Sequence, residues 1–482
     1  MGRLNRRDFV RTGLAAAASA AVCPHSLAAP SANDQINMGF ISCGGRAGGL
    51  MGAFDKIDGV HIAGLCDPDE QRLGVAKKRF PKANTWTDLR GLLDDKSLDA
   101  VVIATCNHWH CLAAIWAMQA GKDVYVEKPL SHTQWEGQQV VVAATKLDKI
   151  CQIGTQQRSD PMQSAIKQFL HTDKTLGEIR YARVNRYGVR APIGKRATPL
   201  PIPKEVDYNM WLGPAQDLPI YRDKLHYDWH WVWNTGCGEM GNWGVHVLDD
   251  MRNNVLLDRV SLPRRIVAGG GRVVYNDAGE TPNVHFVYFD TGSIPVIMGL
   301  SNIPAKPGGR KSSAHPGPSS GYIAYCEGGR LEGQRGRAAA YDKDGKLIKK
   351  FSGDSGRGHQ RNFIDALRQR DASVLNAPVS MGHLSTGWCN LGNVAYRTGT
   401  TYSNKQARQI AGDFQPWNQL LDDMHQLLDA HGIDMANSAI RLSPVLDFDP
   451  DKQVFTGPNA AVGNPFLKRQ YRNPFVVPDL IR

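Results

Sequence analysis

The chain has 482 residues, of which 42% are hydrophobic, 8% aromatic and 21% charged. This composition is typical of a globular protein with about two or three domains, and it excludes an intrinsically disordered chain. The formal net charge is +11, but the sequence has no run of lysine or arginine long enough to indicate a nucleic-acid partner.

The first 28 residues have the pattern of an export signal. Arg6 and Arg7 precede a short alanine-rich apolar run, which Ser26, Leu27 and Ala28 follow, and this order resembles a twin-arginine signal peptide. A basic amphipathic helix is the alternative, but the apolar run has no polar face. Because the run is too short to span a bilayer, we expect no stable membrane insertion once residues 1–28 are removed. The sequence therefore predicts a periplasmic protein.

The nine cysteines do not have the spacing of a disulfide framework or a metal site. Cys43, Cys66, Cys106 and Cys151 stand at or near the ends of predicted strands, where small buried residues are common. Twin-arginine substrates fold in the reducing cytoplasm before export. We therefore expect mostly free thiols.

The first predicted strand, Ile36–Ile41, leads into a glycine-rich turn and then into a helix. This turn is a variant of the dinucleotide fingerprint, with Ser42, Gly44 and Ala47 at its three glycine positions. Without a side chain at Gly44, the backbone can approach a pyrophosphate at the helix N-terminus. The pattern alone is weak, because glycine-rich turns join many strands to helices.

A second predicted strand, Val60–Cys66, strengthens this interpretation. It ends in Asp67, about 20 residues after Ala47, where a carboxylate can accept hydrogen bonds from the ribose hydroxyls and repel a 2′-phosphate. This position favours NAD over NADP. Arg46 argues for NADP, since a guanidinium in the loop could bind the 2′-phosphate.

Residues 99–130 form a complete strand, helix and strand unit. The buried strand at 100–104 ends near Thr105, Asn107 and His110, and the helix is predicted over 110–119. A short strand at 124–126 then places Glu127 and Lys128 at its carboxyl end, where ligands bind in open parallel sheets.

Lys128 is suited to proton chemistry, because burial and a neighbouring cation would lower its pKa towards neutrality. The alternative is that Glu127 and Lys128 form a solvated ion pair at a strand end.

Five segments of the sequence together resemble the Gfo/Idh/MocA oxidoreductases, which include glucose-fructose oxidoreductase and inositol dehydrogenase. They are SCGGRA at 42–47, CDP at 66–68, VVIATCNHWH at 101–110, AGKDVYVEKPL at 120–130 and IGTQQRS at 153–159. The resemblance implies a tightly bound NAD or NADP, a sugar or polyol substrate, and a homo-oligomer, either a dimer or a tetramer. Together, the motifs and the resemblance assign these cofactor contacts: Ser42, Gly44, Gly45, Arg46, Ala47, Asp67, Thr105, Asn107, His110, Glu127, Lys128 and Gln156.

Beyond Thr155 the pattern changes to longer strands linked by hairpins. Ile179–Tyr187 alternates, the strands at 283–289 and 294–300 flank a turn, and Asp344-Gly345 is a strong hairpin signal. We predict an α/β protein in which a doubly wound parallel Rossmann sheet (34–155) precedes an α+β domain with a large, mostly antiparallel open sheet (156–410). Residues 411–482 are predicted to form a helix and an extended arm over this subunit or its partner.

The segment from His226 to Asp250 is the densest polar and aromatic region. Members of the family commonly carry an aspartate and a histidine four residues apart, which flank the nicotinamide together with the lysine. His246 matches the histidine here, but Asn242 stands at the aspartate position, and an amide cannot take a proton from a substrate hydroxyl. The catalytic candidates are therefore Lys128, His246 and Asn242, and Glu239 or Asp249 could supply the missing carboxylate.

The same segment contains alternating tryptophans, Trp229, Trp231 and Trp233, which would share one side of an extended chain. They could stack on a sugar or form a core or interface stripe. Its histidines are irregularly spaced, so we predict no metal site.

Three hypotheses follow. The leading one is an NAD(P)-dependent oxidoreductase in which His246 takes the proton of a sugar or polyol hydroxyl while Lys128 hydrogen-bonds the same oxygen. The second is a glycosidase or lyase that oxidises its sugar transiently with tightly held NAD. The third is a non-catalytic sugar-binding protein of the same fold.

Overall fold

The computed structural model describes residues 35–481. The predicted signal peptide, residues 1–28, lies outside the described residues. No helix within residues 35–481 combines the length and the apolar character needed to cross a membrane.

The N-terminal domain, as far as the structure describes it, contains six strands and five helices. Its strands are β1 (Ile36–Ile41), β2 (Val60–Cys66), β3 (Asn84–Trp86), β4 (Ala100–Ile103), β5 (Asp123–Val126) and β6 (Cys151–Ile153). Its helices are α1 (Arg46–Phe54), α2 (Glu70–Arg79), α3 (Leu89–Asp94), α4 (Asn107–Gln119) and α5 (Gln134–Lys146). The strands pair in parallel in the order β3-β2-β1-β4-β5-β6, which is the order of the dinucleotide-binding fold. This confirms the predicted doubly wound sheet.

The second domain contains a twelve-stranded sheet. Its strands are β7 (Ile179–Tyr187), β8 (Arg265–Gly271), β9 (Val284–Asp290), β10 (Val296–Ser301), β11 (Ser320–Cys326), β12 (Gly329–Gln334), β13 (Arg337–Asp342), β14 (Leu347–Ser352), β15 (Thr400–Thr401), β16 (Arg441–Leu442), β17 (Leu446–Asp449) and β18 (Val454–Thr456). β7 and β10 run parallel, and the other paired strands of this sheet, within residues 35–481, are antiparallel. The predicted mostly antiparallel sheet is confirmed.

Eight helices of the described residues follow the N-terminal domain. They are α6 (Met162–Lys167), α7 (Tyr208–Leu212), α8 (Val245–Asn254), α9 (His359–Gln369), α10 (Val379–Thr398), α11 (Asn404–Ile410), α12 (Gln415–Asp429) and α13 (Ala460–Gly463). A π-helical turn, Met240–Gly244, leads directly into α8.

Helix α10 joins the two domains. It packs against α5 on one side and against α8 and β8 on the other. From α10, the hydroxyl of Thr386 accepts a hydrogen bond of 3.0 Å from the backbone N–H of Leu130, two residues beyond Lys128. The segment that carries Lys128 is thus fixed to the second domain.

Helix α9 packs against the nucleotide sheet, although the predicted boundaries place it within the domain at 156–410. Phe363 of α9 meets Phe54 and Tyr125 edge to face, with ring centroids 6.2 and 5.8 Å apart. The buried core of the N-terminal domain is therefore completed by a helix about 200 residues later in the sequence.

The C-terminal region lies over its own subunit. The apolar face of α12 is buried against the large sheet, as the spacing of Trp417, Leu420 and Leu421 indicates. Further on, Phe475 packs on Trp109 of the nucleotide domain, with ring centroids 5.5 Å apart. Of the two alternatives for the arm, the structure shows the one within the same chain.

Candidate active site

A cleft of about 310 Å³ lies between the carboxyl ends of the nucleotide strands and the second domain. Most of the predicted site residues line it: Ser42, Gly44, Gly45, Arg46, Asp67, Thr105, Asn107, His110, Glu127, Lys128 and Asn242. The remaining three, Ala47, Gln156 and His246, are not part of its wall.

The glycine-rich turn has the backbone of a dinucleotide fingerprint. Ser42 adopts a φ of 87°, in the left-handed region that glycine reaches without strain, at the position where the fingerprint has its first glycine. At the second position, a Cβ on Gly44 would collide with the guanidinium of Arg72, which lies over the turn. The N-terminus of α1 follows directly and suits an anionic group.

Asp67 is buried at the end of β2. Its carboxylate accepts hydrogen bonds from the backbone N–H groups of Cys43, at 2.8 Å, and Asp69, at 3.0 Å. Burial raises the pKa of this carboxyl, and the two backbone hydrogen bonds counteract the rise only in part. Asp67 thus links the fingerprint turn to the end of β2 and still borders the cleft. Together with the turn, it fits a nicotinamide dinucleotide.

The guanidinium near Asp67 belongs to Arg72, not to Arg46. Arg46 instead donates to Glu127 at the end of β5, with its Nε 2.8 Å from the carboxylate. Arg72 of α2 lies over Gly44, and its charge lowers the pKa of Asp67, which burial raises. Arg72 was missed by the sequence analysis. Its position five residues after Asp67, on the first helix to follow, is the signal that could have indicated it.

Glu127 is the centre of a buried group. Besides Arg46, it accepts a hydrogen bond of 3.1 Å from the side chain of Gln156, which also contacts the hydroxyl of Tyr125. Burial tends to raise the pKa of Glu127, but Arg46 and Lys128 outweigh burial and lower it. The structure therefore places Gln156 behind the cleft wall, where it orients Glu127.

Lys128 reaches across the cleft to the second domain. Its Nζ donates to the backbone oxygen of Asn242 at 2.7 Å and lies 3.3 Å from the side-chain oxygen of the same residue. Burial lowers the pKa of Lys128, against the opposing charges of Glu127 and Glu239. The carboxylate of Glu127 pairs with Arg46, so the alternative of a solvated Glu127–Lys128 pair is wrong.

The neighbouring carboxylate of Glu239 explains why an asparagine, rather than an aspartate, fits at position 242. The amide of Asn242 donates to Glu239 at 3.1 Å, and Glu239 also accepts from Arg186 and Arg190 at 2.6 and 2.9 Å. An aspartate at position 242 would bring a second carboxylate to Glu239. The amide avoids this repulsion.

His246 lies beside the cleft rather than on its wall. The centroid of its ring is 5.7 Å from that of Trp243, and its buried Nδ1 has no hydrogen-bond partner among the described residues. Burial, followed by Lys128 and Arg335, holds the pKa of His246 well below its ordinary value.

The three tryptophans do not share one side, because Asp228–Trp231 forms a 3₁₀ turn rather than an extended segment. Trp229 lines the cleft, Trp231 is buried, and Trp233 lies near Tyr396, with ring centroids 6.3 Å apart.

Residues 205–231, which we call the cover segment, close one side of the cleft. The backbone of Glu70 donates to the carbonyl of Glu205, and that of Asp207 donates to the carbonyl of Pro68. These bonds attach the cover segment to the N-terminus of α2. The segment supplies six lining residues: Met210, Trp211, His226, Tyr227, Trp229 and His230. Of these, the sequence indicated only Trp229, as a ring that could stack on a sugar.

The described cysteines are free. Within residues 35–481, no three side chains of histidine, cysteine, aspartate or glutamate are grouped so that they could hold a metal ion.

Two family models match the chain. The Gfo/Idh/MocA model described as an oxidoreductase family with an NAD-binding Rossmann fold matches residues 36–155, and the model of its C-terminal alpha/beta domain matches residues 192–303. These two segments belong to the Gfo/Idh/MocA oxidoreductase family.

Curated proteins are similar to part of the chain. A glycosyl hydrolase family 109 protein of Shewanella pealeana is 35% identical over 176 residues, which are 31% of this chain and 39% of the relative. Inositol 2-dehydrogenase 2 of Saccharopolyspora erythraea is 33% identical over 146 residues, 29% of this chain and 42% of the relative. The chain thus spans about two fifths of the length of each of these relatives.

A solved structure shares the fold. The WlbA dehydrogenase from Bordetella pertussis, in complex with NADH and UDP-GlcNAcA, superposes with a TM-score of 0.54 at 16% identity and covers 73% of this chain and 93% of its own. At this identity the likeness establishes the Gfo/Idh/MocA fold and not the substrate.

Proposed function

We propose that the protein is an NAD(P)-dependent oxidoreductase that transfers a hydride to or from a hydroxyl-bearing carbon of a sugar or polyol. The observation that carries this proposal is the position of Lys128. Its ammonium has a lowered pKa, lies at the carboxyl end of β5 and bonds across the cleft to Asn242. A cation held there can hydrogen-bond the substrate oxygen while the proton of that oxygen is transferred.

The chain's own residues would bind and orient both reactants. The turn from Ser42 to Arg46 would hold the pyrophosphate, and Asp67 would accept hydrogen bonds from the ribose, which favours NAD. When bound, the nicotinamide supplies the hydride acceptor. Lys128 and Asn242 would hold the reacting oxygen between the two domains.

Tight binding of the cofactor is supported by the cover segment. Because residues 205–231 are attached to α2 by backbone hydrogen bonds, they would have to separate from it before a dinucleotide beneath them could leave. A cofactor that stays bound favours a cycle in which it is reduced and reoxidised on the enzyme.

We therefore propose a second candidate function, that of a glycosidase or lyase that oxidises its sugar transiently. It is supported by the enclosed cleft and by the match to the glycosyl hydrolase family 109 protein over 31% of the chain. A non-catalytic sugar-binding protein is the third alternative.

One experiment separates the three functions. The purified protein is analysed for bound NAD and NADP by mass spectrometry and is then mixed with free sugars, polyols and aryl glycosides. Net reduction of cofactor supports the oxidoreductase, and release of the aglycone without net reduction supports the glycosidase. Binding of sugars with neither reaction would contradict both enzymatic functions.

We also propose export by the twin-arginine route to the periplasm, from the paired arginines Arg6 and Arg7. Changing both to lysine should leave folded, unprocessed protein in the cytoplasm, as measured by fractionation. Normal periplasmic delivery of that variant would contradict the proposal. We expect a homo-oligomer, a dimer or a tetramer, and light scattering of the purified protein measures this directly.

A further inference from the structure

The cleft contains three histidines, of which one has both ring nitrogens engaged by protein groups and two have one nitrogen engaged. His110 has Nδ1 2.6 Å from the carbonyl oxygen of Pro129 and Nε2 3.2 Å from that of Thr105, so both of its nitrogens are engaged. His226 has one engaged nitrogen, because its Nε2 lies 2.8 Å from the carboxylate of Asp69. This contact holds the ring beside the N-terminus of α2, where the charges acting on it are those of Arg72, Asp69 and Asp67, whereas Lys128 acts on His230. These contacts favour the remaining histidine for a proton transfer beside Lys128.

The third, His230, has one engaged nitrogen and one that is available. Its Nδ1 is 2.5 Å from the carbonyl oxygen of Tyr227. A carbonyl oxygen can only accept, so Nδ1 carries the hydrogen, and in the neutral ring Nε2 then has a lone pair. Among residues 35–481, Nε2 of His230 has no hydrogen-bond partner. A substrate hydroxyl could therefore donate to it.

The ring of His230 is held in place. It stacks on Trp229 with ring centroids 3.6 Å apart, and Trp231 contacts it at a tilt with a centroid distance of 5.4 Å. Burial, together with the charges of Lys128 and Arg190, lowers the pKa of the ring, so the ring is neutral and its Nε2 lone pair is free to accept a hydrogen bond from a substrate hydroxyl. His230 therefore lies on the wall of the cleft with its Nε2 free, whereas His246 lies beside the cleft and not on its wall.

We propose that Nε2 of His230 is the proton acceptor of the reaction, in place of His246. This inference rests on the proposed function. In the oxidation, the C–H bond of the substrate breaks and its electron pair leaves as hydride to an oxidised nicotinamide dinucleotide. The O–H bond breaks as its proton passes to Nε2, the carbon–oxygen double bond forms, and Lys128 hydrogen-bonds the oxygen throughout. In the reverse direction the imidazolium of His230 returns the proton.

The first test is kinetic. His230→Ala should slow reduction of the bound cofactor by about 10²–10⁴-fold in a single turnover, and added imidazole should restore part of the rate. Cofactor content should equal that of the parent. The matched control is His315→Gln, because His315 also stacks on an aromatic ring, that of Tyr187, and lies outside the cleft. That control should react like the parent.

The second test does not depend on turnover. Nitrogen-15 NMR of the histidine rings, with His230→Gln used to assign the signal, should show His230 as the neutral Nδ1–H tautomer at pH 7. An Nε2–H tautomer would overturn the proposal.

The outcomes separate this inference from the proposed function. If the parent reduces its cofactor and His230→Ala does so at the same rate, His230 is not the acceptor although the protein is an oxidoreductase. A large loss in His246→Ala that imidazole restores, with none in His230→Ala, would return the role to His246. A parent protein without any redox reaction would overturn the proposed function, and the role of His230 with it.

Discussion

Asp67 and Glu127 follow two strands of the same sheet, and each carboxylate is almost completely excluded from solvent, yet they are held differently. Asp67 accepts two backbone N–H groups, and burial raises its pKa. Glu127 faces the guanidinium of Arg46, and its pKa is lowered. The position at the end of a strand therefore does not determine the direction in which the pKa of a carboxyl group shifts. Its immediate partners do.

This difference divides the cleft into two ends. At the Asp67 end, hydrogen bonds organise a turn that suits the ribose and pyrophosphate of a dinucleotide. At the Glu127 end, burial and neighbouring charges shift the pKa of Lys128: burial, the largest cause, and Arg46 lower it, while Glu127 and Glu239 raise it. Binding should be sensitive to changes at the first end, and reactivity to changes at the second.

The largest effect is expected at the Glu127 end. Lys128→Met should reduce turnover by about 10²–10⁴-fold, because the substrate oxygen loses its hydrogen-bond donor, whereas cofactor content should be unchanged. Single-turnover kinetics and mass spectrometry of the bound cofactor measure both. Lys149→Met is the control, since Lys149 donates to the carbonyl of Gly121, outside the cleft. A Lys128→Met protein that reacts like the parent would disprove the role of Lys128.

At the Asp67 end the effect should appear in affinity. Asp67→Ala should weaken NAD binding more than NADP binding, by about 1.5–3 kcal/mol for each charged hydrogen bond lost. Arg72→Ala should weaken NADP more than NAD, because Arg72 is the guanidinium near Asp67. Calorimetric titration of cofactor-free protein measures both preferences. Equal weakening of the two cofactors in Asp67→Ala would mean that Asp67 only supports the turn.

The free energy of unfolding should depend on the hydrogen bond from Asn242 to Glu239. Asn242→Asp should lower the free energy of unfolding by about 1–3 kcal/mol, because a hydrogen bond is replaced by two facing carboxylates. Adding Glu239→Gln should recover part of the loss, since the new amide can donate to the carboxylate introduced at position 242. Thermal unfolding of the two single variants and the double variant measures the coupling. Additive losses would show that the two side chains do not interact.

Much of the fold could be predicted from the sequence, because its signals are local. The fully buried run at β4, the hairpin at Asp344-Gly345 and the apolar face of α12 each depend on neighbouring residues. The start of α4 at Asn107, three residues before the predicted start, depends instead on tertiary contacts such as the hydrogen bond from Trp109 to the carbonyl of Met210. Propensity does not contain that information.

The two ends of the cleft also differ in how local their sequence signals are. The turn at Ser42 and the carboxylate of Asp67 have a fixed spacing within one supersecondary unit. His230 comes to the cleft only because a 3₁₀ turn forms in the cover segment and attaches to another domain. The pairing of Arg46 with Glu127 likewise joins residues far apart in the sequence.

The smallest expected effect concerns pH, and it tests the comparison of the two carboxylates directly. Glu127→Gln removes a charge that raises the pKa of Lys128, so the limb of the pH–rate profile that belongs to Lys128 should move to lower pH. Because the folded pKa of Glu127 is lowered, its contribution to stability is present above the unfolded value, about 4.3, and is lost as the pH falls through the folded value. The free energy of unfolding of Glu127→Gln should therefore fall less on acidification than that of the parent.

Thermal unfolding at a series of pH values and single-turnover rates measure these two shifts. Glu332→Gln is the control, because Glu332 pairs with Arg330 through the same kind of contact, at 2.7 Å, on the large sheet away from the cleft. It should leave the pH–rate profile in place. If Glu127→Gln also left that profile unchanged, the charge of Glu127 would not act on Lys128. Asp67 and Glu127 would then differ in their hydrogen-bond partners, but the carboxylate of Glu127 would have no effect on the reactivity of Lys128.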